Sequence, residues 1–268
     1  MTSPNLTPIS GLLEGKRCLI VGGTSGIGLA AALHFVEQGA RVAIVGFDEA
    51  GKEVAATGVA CRILADAAVA EEVDRIFAET LAALGGLDVL YHVAGGSGRK
   101  FGDGPLHECS EAAWNDTLQL NLTSTFLTNR AAVRCFRAQQ RPGAILNMAS
   151  VLALDPAPTH FDITAYAVAK AGVIALTRQT ASRYAHDGIR ANVLAPGLVD
   201  TPMSQRAVGD SAIQRYLRQK QPLIGGPIRP DDVAGAAAFL CSEHARMITG
   251  AVLAVDAGWQ VCELPMGE

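Results

Sequence analysis

Arg17-Cys18-Leu19-Ile20-Val21-Gly22-Gly23-Thr24-Ser25-Gly26-Ile27-Gly28 is the stretch that decides how this chain folds. Its first five residues, rich in apolar and β-branched side chains, predict a buried strand. Gly28 to Gln38, closed by Gly39, predicts a helix. Between them, Gly22, Gly26 and Gly28 stand at a G-x-x-x-G-x-G spacing. Such a turn lets backbone approach a pyrophosphate and aims the amides of a helix N-terminus at its charge. A strand-to-helix turn also selects glycine on steric grounds, so the loop is a candidate phosphate cradle only in the right surroundings.

Those surroundings repeat the same alternation. Strands are predicted at Arg41–Val45, Cys61–Ala65, Leu87–Val93, Ala144–Met148, Arg190–Leu194 and Ala251–Val255. Helices are predicted at Val69–Leu84, Glu111 to about Arg137, Tyr166–His186 and from Pro230-Asp231 to Leu240. The pattern predicts an α/β fold, a single Rossmann-type doubly wound parallel sheet of about seven strands with helices on both faces. Residues 11–268 read as one domain behind a short polar tail, residues 1–10.

Composition sets the outer bounds. Of 268 residues, 49% are hydrophobic, which excludes global disorder, and only 18% are charged, which suits a sheet buried on both faces. Twenty-two Lys+Arg against 26 Asp+Glu give a net charge of -4, without the basic stripe that nucleic acid requires. The six cysteines are scattered without metal-ligand spacing, so no metal is expected, and Cys18 and Cys241 read as reduced, buried thiols. Met1 to Ser10 lacks the pattern of a secretion signal, and no apolar run reaches the ~20 residues that span a bilayer. The expectation is a cytoplasmic protein without a membrane or nucleic-acid partner.

The glycine loop resembles that of the short-chain dehydrogenase/reductase family, which carries T-G-x-x-x-G-I-G, and the resemblance extends over nearly the whole chain. Asp66 matches the acidic residue that contacts adenine in the family. Ala94-Gly95 matches the end of N-N-A-G, Asn121 the asparagine of the fourth helix, and Ser150 the active-site serine. Tyr166-Ala-Val-Ala-Lys170 matches Y-x-x-x-K, and Pro196-Gly197-Leu198-Val199-Asp200-Thr201 resembles P-G-x-x-x-T. The resemblance implies a dinucleotide held by Gly22, Thr24, Ser25, Gly26, Ile27, Gly28, Phe47, Asp48, Asp66, Ala94, Gly95, Tyr166, Lys170, Pro196, Gly197, Val199 and Thr201. It also implies a homotetramer or dimer. Two departures stand out: Val21 replaces a threonine, and His92-Val93 replaces paired asparagines. An apolar contact between Val21 and Val93 is the expected substitute for the polar tie, with His92 a satisfied histidine at a strand end.

The chemistry follows from Asn121, Ser150, Tyr166 and Lys170 as a unit. Tyr166 and Lys170 are four apart on a predicted helix and share a face. An ammonium beside the phenol favours phenolate, so Tyr166 can take a proton from an alcohol or give one to a ketone. Ser150 follows a strand at the carboxyl edge, where its hydroxyl can bond the substrate oxygen. Asn121 stands in a helix where asparagine is a poor former, and in the family it perturbs that helix. The long Leu154–Phe161 connection, Arg99-Lys100-Phe101 and residues 198–227, read as a lid, are expected to border a small-molecule substrate. At the usual acidic position after the second strand stands Gly46, then Phe47 and Asp48. With no basic residue there until Lys52, NAD is favoured over NADP. The rivals are a non-catalytic dinucleotide-binding sensor or scaffold, and a hydrolase using Ser150 with His160 and Asp155. The latter lacks G-x-S-x-G.

Overall fold

In a computed structural model of the chain, which describes residues 11–47 and 58–262, the apolar runs become seven strands. These are β1 (Arg17–Val21), β2 (Arg41–Gly46), β3 (Cys61–Leu64), β4 (Val89–His92), β5 (Gly143–Met148), β6 (Ile189–Pro196) and β7 (Val252–Val255). All pair in parallel, in the order β3-β2-β1-β4-β5-β6-β7. The helices are α1 (Gly26–Glu37), α2 (Ala70–Leu84), α3 (Glu111–Leu118), α4 (Ser124–Gln139), α5 (Pro158–Phe161), α6 (Thr164–Tyr184), α7 (Gln205–Val208), α8 (Ser211–Lys220) and α9 (Pro230–Cys241).

Strand residues alternate between two cores. Cys18 and Ile20 of β1 face α1 and α9, packing with Phe35, Val233 and Leu240. Leu19 and Val21 face α2 and α4, packing with Ile76, Phe77 and Phe136. Burial on both faces explains why these strands read as continuous apolar runs. The predicted α/β sheet is the one that forms. Strand order reverses between β1 and β4, and there the carboxyl ends open a crevice.

Three expectations meet the structure differently. Val93 and Ala94 donate their amides to the Val21 carbonyl at 2.8 and 2.9 Å. The Val21 side chain lies in the α2/α4 core, while Val93 packs against the α1/α9 core. The strands are therefore tied by main-chain bonds and not by the expected valine contact. His92 is a satisfied histidine at the end of β4, as expected. Its Nδ1 lies 2.8 Å from Thr128 Oγ1 and its Nε2 3.3 Å from Ser124 Oγ, and burial pushes its pKa down to about 3. The helix predicted without a break from Glu111 opens into a π turn over Gln119–Thr123. Asn121 Nδ2 donates to the Thr117 carbonyl at 3.0 Å, Ser124 Oγ to Leu120 and Thr125 Oγ1 to Asn121. Three side chains bonding carbonyls one turn back compete with the α-helical ladder. Among the described residues, no helix is long and apolar enough to cross a membrane.

Candidate active site

The cradle after β1 is built from missing side chains. Gly22 has φ +86°, and a Cβ there would lie 2.6 Å from the Ala94 amide. A Cβ on Gly28 would run into the Gly22 carbonyl. Gly26, at φ +51°, faces Thr201, whose Cγ2 would lie 3.1 Å from a Cβ. The N-cap Ser25 makes no side-chain cap, and the first turn of α1 carries no acidic residue. The helix thus presents free amides and uncompensated positive dipole to the crevice. That crevice is a cavity of about 510 Å³, within the usual range for small-molecule sites. Glycines that clear its floor and a bare helix N-terminus at its rim fit a dinucleotide diphosphate.

Among the described residues, every one predicted to hold the dinucleotide lines this cavity except Asp66. Asp48 and the alternative Lys52 lie outside the described residues. Asp66 Oδ1 accepts from the Ala68 amide at 2.7 Å, shaping the turn into α2. Gly46 has a steric explanation: a Cβ there would collide with the Thr24 side chain. Phe47, 64% exposed, takes its place at the cavity wall.

Ser150, Tyr166 and Lys170 meet at the other side of the cavity. Ser150 follows β5 and accepts from the Leu152 amide at 3.2 Å, with the Tyr166 phenol close enough to feel its hydroxyl. Burial raises the Tyr166 pKa, and the nearby Ser150 hydroxyl opposes that rise. Lys170, buried one turn further along α6, donates to the Met148 carbonyl at 3.0 Å, and its Nζ lies 5.7 Å from the Tyr166 ring centroid. Burial pushes its pKa down to about 8. Lys170 is therefore anchored to the strand, one helical turn from the phenol.

Asn121 is fully buried and does not line the cavity. Its Oδ1 accepts from the Gly96 amide at 3.0 Å and its Nδ2 donates to the Gly96 carbonyl at 2.9 Å. A Cβ on Gly95 would lie 2.6 Å from Asn121 Oδ1 and 3.0 Å from Lys170 Nζ, so glycine lets the three converge. The hydrolase arrangement is not assembled. Asp155 pairs with Lys220 at 2.9 Å, and His160 lies against Tyr216 with ring centroids 4.7 Å apart.

Two positioning residues escape a sequence reading. Asp103 is buried, and its carboxylate accepts from the Ala165 and Tyr166 amides, both at 2.9 Å. It fixes the first turn of α6, where its charge also opposes the helix dipole. Gln221, also buried, accepts from the Leu198 amide at 2.6 Å and donates to the Gly226 carbonyl at 2.7 Å. It thereby joins the two ends of the 198–227 segment, which folds locally into a 3-10 turn at Pro202–Ser204, α7 and α8. Neither aspartate nor glutamine belongs to a motif, and the amides that donate to them lie 62, 63 and 23 residues away in sequence.

The family match and the dehydrogenases that the chain resembles define an oxidoreductase acting on CH–OH groups. A family model described as enoyl-(acyl carrier protein) reductase matches residues 21–260, and the chain belongs to the short-chain dehydrogenase/reductase family. Dehydrogenases of this family use NAD or NADP. The chain is 38% identical over 251 residues to 2,5-dichloro-2,5-cyclohexadiene-1,4-diol dehydrogenase of Sphingobium indicum, covering 92% of this chain and 98% of the relative. It is 38% identical over 253 residues to cis-4-hydroxycyclohexanecarboxylate dehydrogenase of Sinomonas cyclohexanicum, covering 91% and 96%. The crystal structure of gox2181 superposes with a TM-score of 0.86 at 28% identity, covering 93% of this chain and 97% of that one.

Proposed function

We propose that this protein is an NAD-preferring dehydrogenase that interconverts a secondary alcohol and a ketone, with Tyr166 as the acid/base. The carrying observation is that Ser150, Tyr166 and Lys170 converge on the glycine-floored cavity, with Lys170 one turn along α6. The bound nicotinamide supplies the hydride acceptor or donor. The loop from Gly22 to Gly28 receives the diphosphate, while Ala94, Gly95 and the Pro196–Thr201 turn flank the nicotinamide half. Phe47 and Asp48 are assigned to the adenosine ribose, and Asp66 to adenine.

Ser150 donates to the substrate oxygen and holds it within reach of Tyr166. With its pKa raised, Tyr166 is a neutral phenol at pH 7 and is ready to protonate a forming alkoxide. In the oxidative direction the phenolate is needed, so alcohol oxidation favours higher pH. The charges of Lys170 and of an oxidised nicotinamide ring then stabilise that form. Residues 198–227 are assigned as the substrate lid. A homodimer or homotetramer and a cytoplasmic location complete the reading. The named substrates of the two relatives are ring alcohols, which makes an alicyclic alcohol the first substrate to try.

The test is a panel of secondary alcohols and ketones followed by nicotinamide absorbance with NAD and with NADP. Tyr166→Phe is expected to lower turnover by roughly 10²–10⁴-fold while dinucleotide binding persists. Wild-type turnover by that variant overturns the mechanism, and a lower KM for NADP than for NAD overturns the cofactor preference.

A further inference from the structure

The cleft carries a charge imbalance that a neutral alcohol does not use. The chain is net acidic, yet among the described residues the cavity is lined by Arg99, Lys100, Lys170 and Arg206 and by no aspartate or glutamate. Lys170 is bonded to Met148, and the Lys100 ammonium sits 4.7 Å above the Phe101 ring. Arg99 and Arg206 are left without a side-chain hydrogen bond or ion pair among the described residues. Both are exposed where they line the one cavity, and burial and then the Arg206 charge push the Arg99 pKa down. Asp103 and Asp162 counter this from outside the lining, and Asp103 already serves the amides of α6.

Sheet order locates the pair. Arg99 follows β4 and Arg206 follows β6, on the Tyr166 side of β1. A ribose 2′-phosphate belongs at the end of β2, on the opposite side of β1. The same cavity is lined by one packed apolar cluster, Leu152, Phe161, Ile163 and Trp259. Two repelling guanidinium groups beside an apolar wall are relieved by one anionic group that accepts charge-assisted bonds from both.

We propose that Arg99 and Arg206 form a receptor for a carboxylate on the substrate, so that the enzyme acts on hydroxy and oxo acids built on an apolar ring. This rests on the alcohol–ketone reading above. The carboxylate is bound at the rim, the ring lies on the Trp259 wall, and the reacting carbon reaches Ser150 and Tyr166.

Cyclohexanecarboxylate and its methyl ester, which have no hydroxyl to oxidise, are titrated calorimetrically into the wild-type protein with NAD. The acid is expected to bind at least about tenfold more tightly than the ester, and Arg99→Gln or Arg206→Gln each to weaken it by about tenfold. The double variant is expected to bind acid and ester alike. In turnover, the preference for 4-hydroxycyclohexanecarboxylate over its methyl ester is expected to shrink through KM more than through kcat. Equal binding of acid and ester by wild type overturns the receptor. An equal rise in the KM for NAD in the variants also overturns it, because the pair would then serve the cofactor diphosphate. Discrimination that depends on both arginines, without oxidation of any alcohol, supports the receptor and sinks the reaction. Oxidation without discrimination does the reverse.

Discussion

The two halves of the cleft are built by opposite means. On the β1–β2 side the surface is made by removing side chains: Gly22, Gly28 and Gly46 each stand where a Cβ would strike a neighbour. On the β4–β6 side it is held by buried polar side chains bonded to backbone groups, as with Asp103, Asn121 and Lys170, or to another side chain, as with His92. The first half is vulnerable to added volume and indifferent to pH. The second tolerates volume no better, but it also fails when a proton arrives or a partner is lost.

Acid gives the widest separation between them. The Gly22–Gly28 cradle has nothing to titrate, whereas His92 is held neutral with a pKa of about 3. An unfolded His92 takes its proton near pH 6.5 and the native one does not. Stability is therefore unaffected by this group above pH 6.5 and is lost as pH falls from there toward 3. The loss is on the order of 5 kcal/mol if it runs to completion. Urea unfolding of wild type and His92→Gln from pH 7 to 3 checks this, with the variant losing that part of the slope. Parallel curves would break the contrast.

Volume tests the other half. Gly28→Ala pushes a methyl group into the Gly22 carbonyl, with an expected cost of about 1–3 kcal/mol. Thermal unfolding reads the cost, and a titration with NAD should show weakened binding. Asp103→Ala removes no volume from the cradle but leaves two amides of α6 unpaired, for about 1–2 kcal/mol. If Asp103 positions Tyr166, kcat falls more than KM rises; equal changes in both would reduce Asp103 to a structural cap. The smallest effect belongs to Asp155→Asn, which breaks a partly exposed pair with Lys220 for less than about 1 kcal/mol. Turnover should be unchanged, whereas a large loss would return Asp155 to the chemistry.

This contrast also explains what the sequence discloses. Strands buried on both faces leave apolar runs, and glycines at fixed spacing leave a loop signature, so the sheet and the cradle were legible residue by residue. Ser150, Tyr166 and Lys170 stood out only through the family resemblance, and the fold brings the three to one cavity. The π turn was not, because it arises from the joint choice of Asn121, Ser124 and Thr125 to bond carbonyls one turn back. Asp103 and Gln221 were hidden because their partners lie far along the chain. Gly46 was read as a missing acid, when the close approach of Thr24 already accounts for it.

Asp103 stands four residues after Arg99, in a turn whose Phe101 and Asp103 amides both bond the Gly98 carbonyl. Segments laced this tightly shift as one body, so whatever reshapes Arg99 for a new ligand also tugs on the start of α6. Engineering that swaps residues 98–103 to broaden the range of compounds accepted will therefore slow the reaction as a side effect. The natural place to look for compensating changes is the first turn of α6, around Thr164 and Ala165.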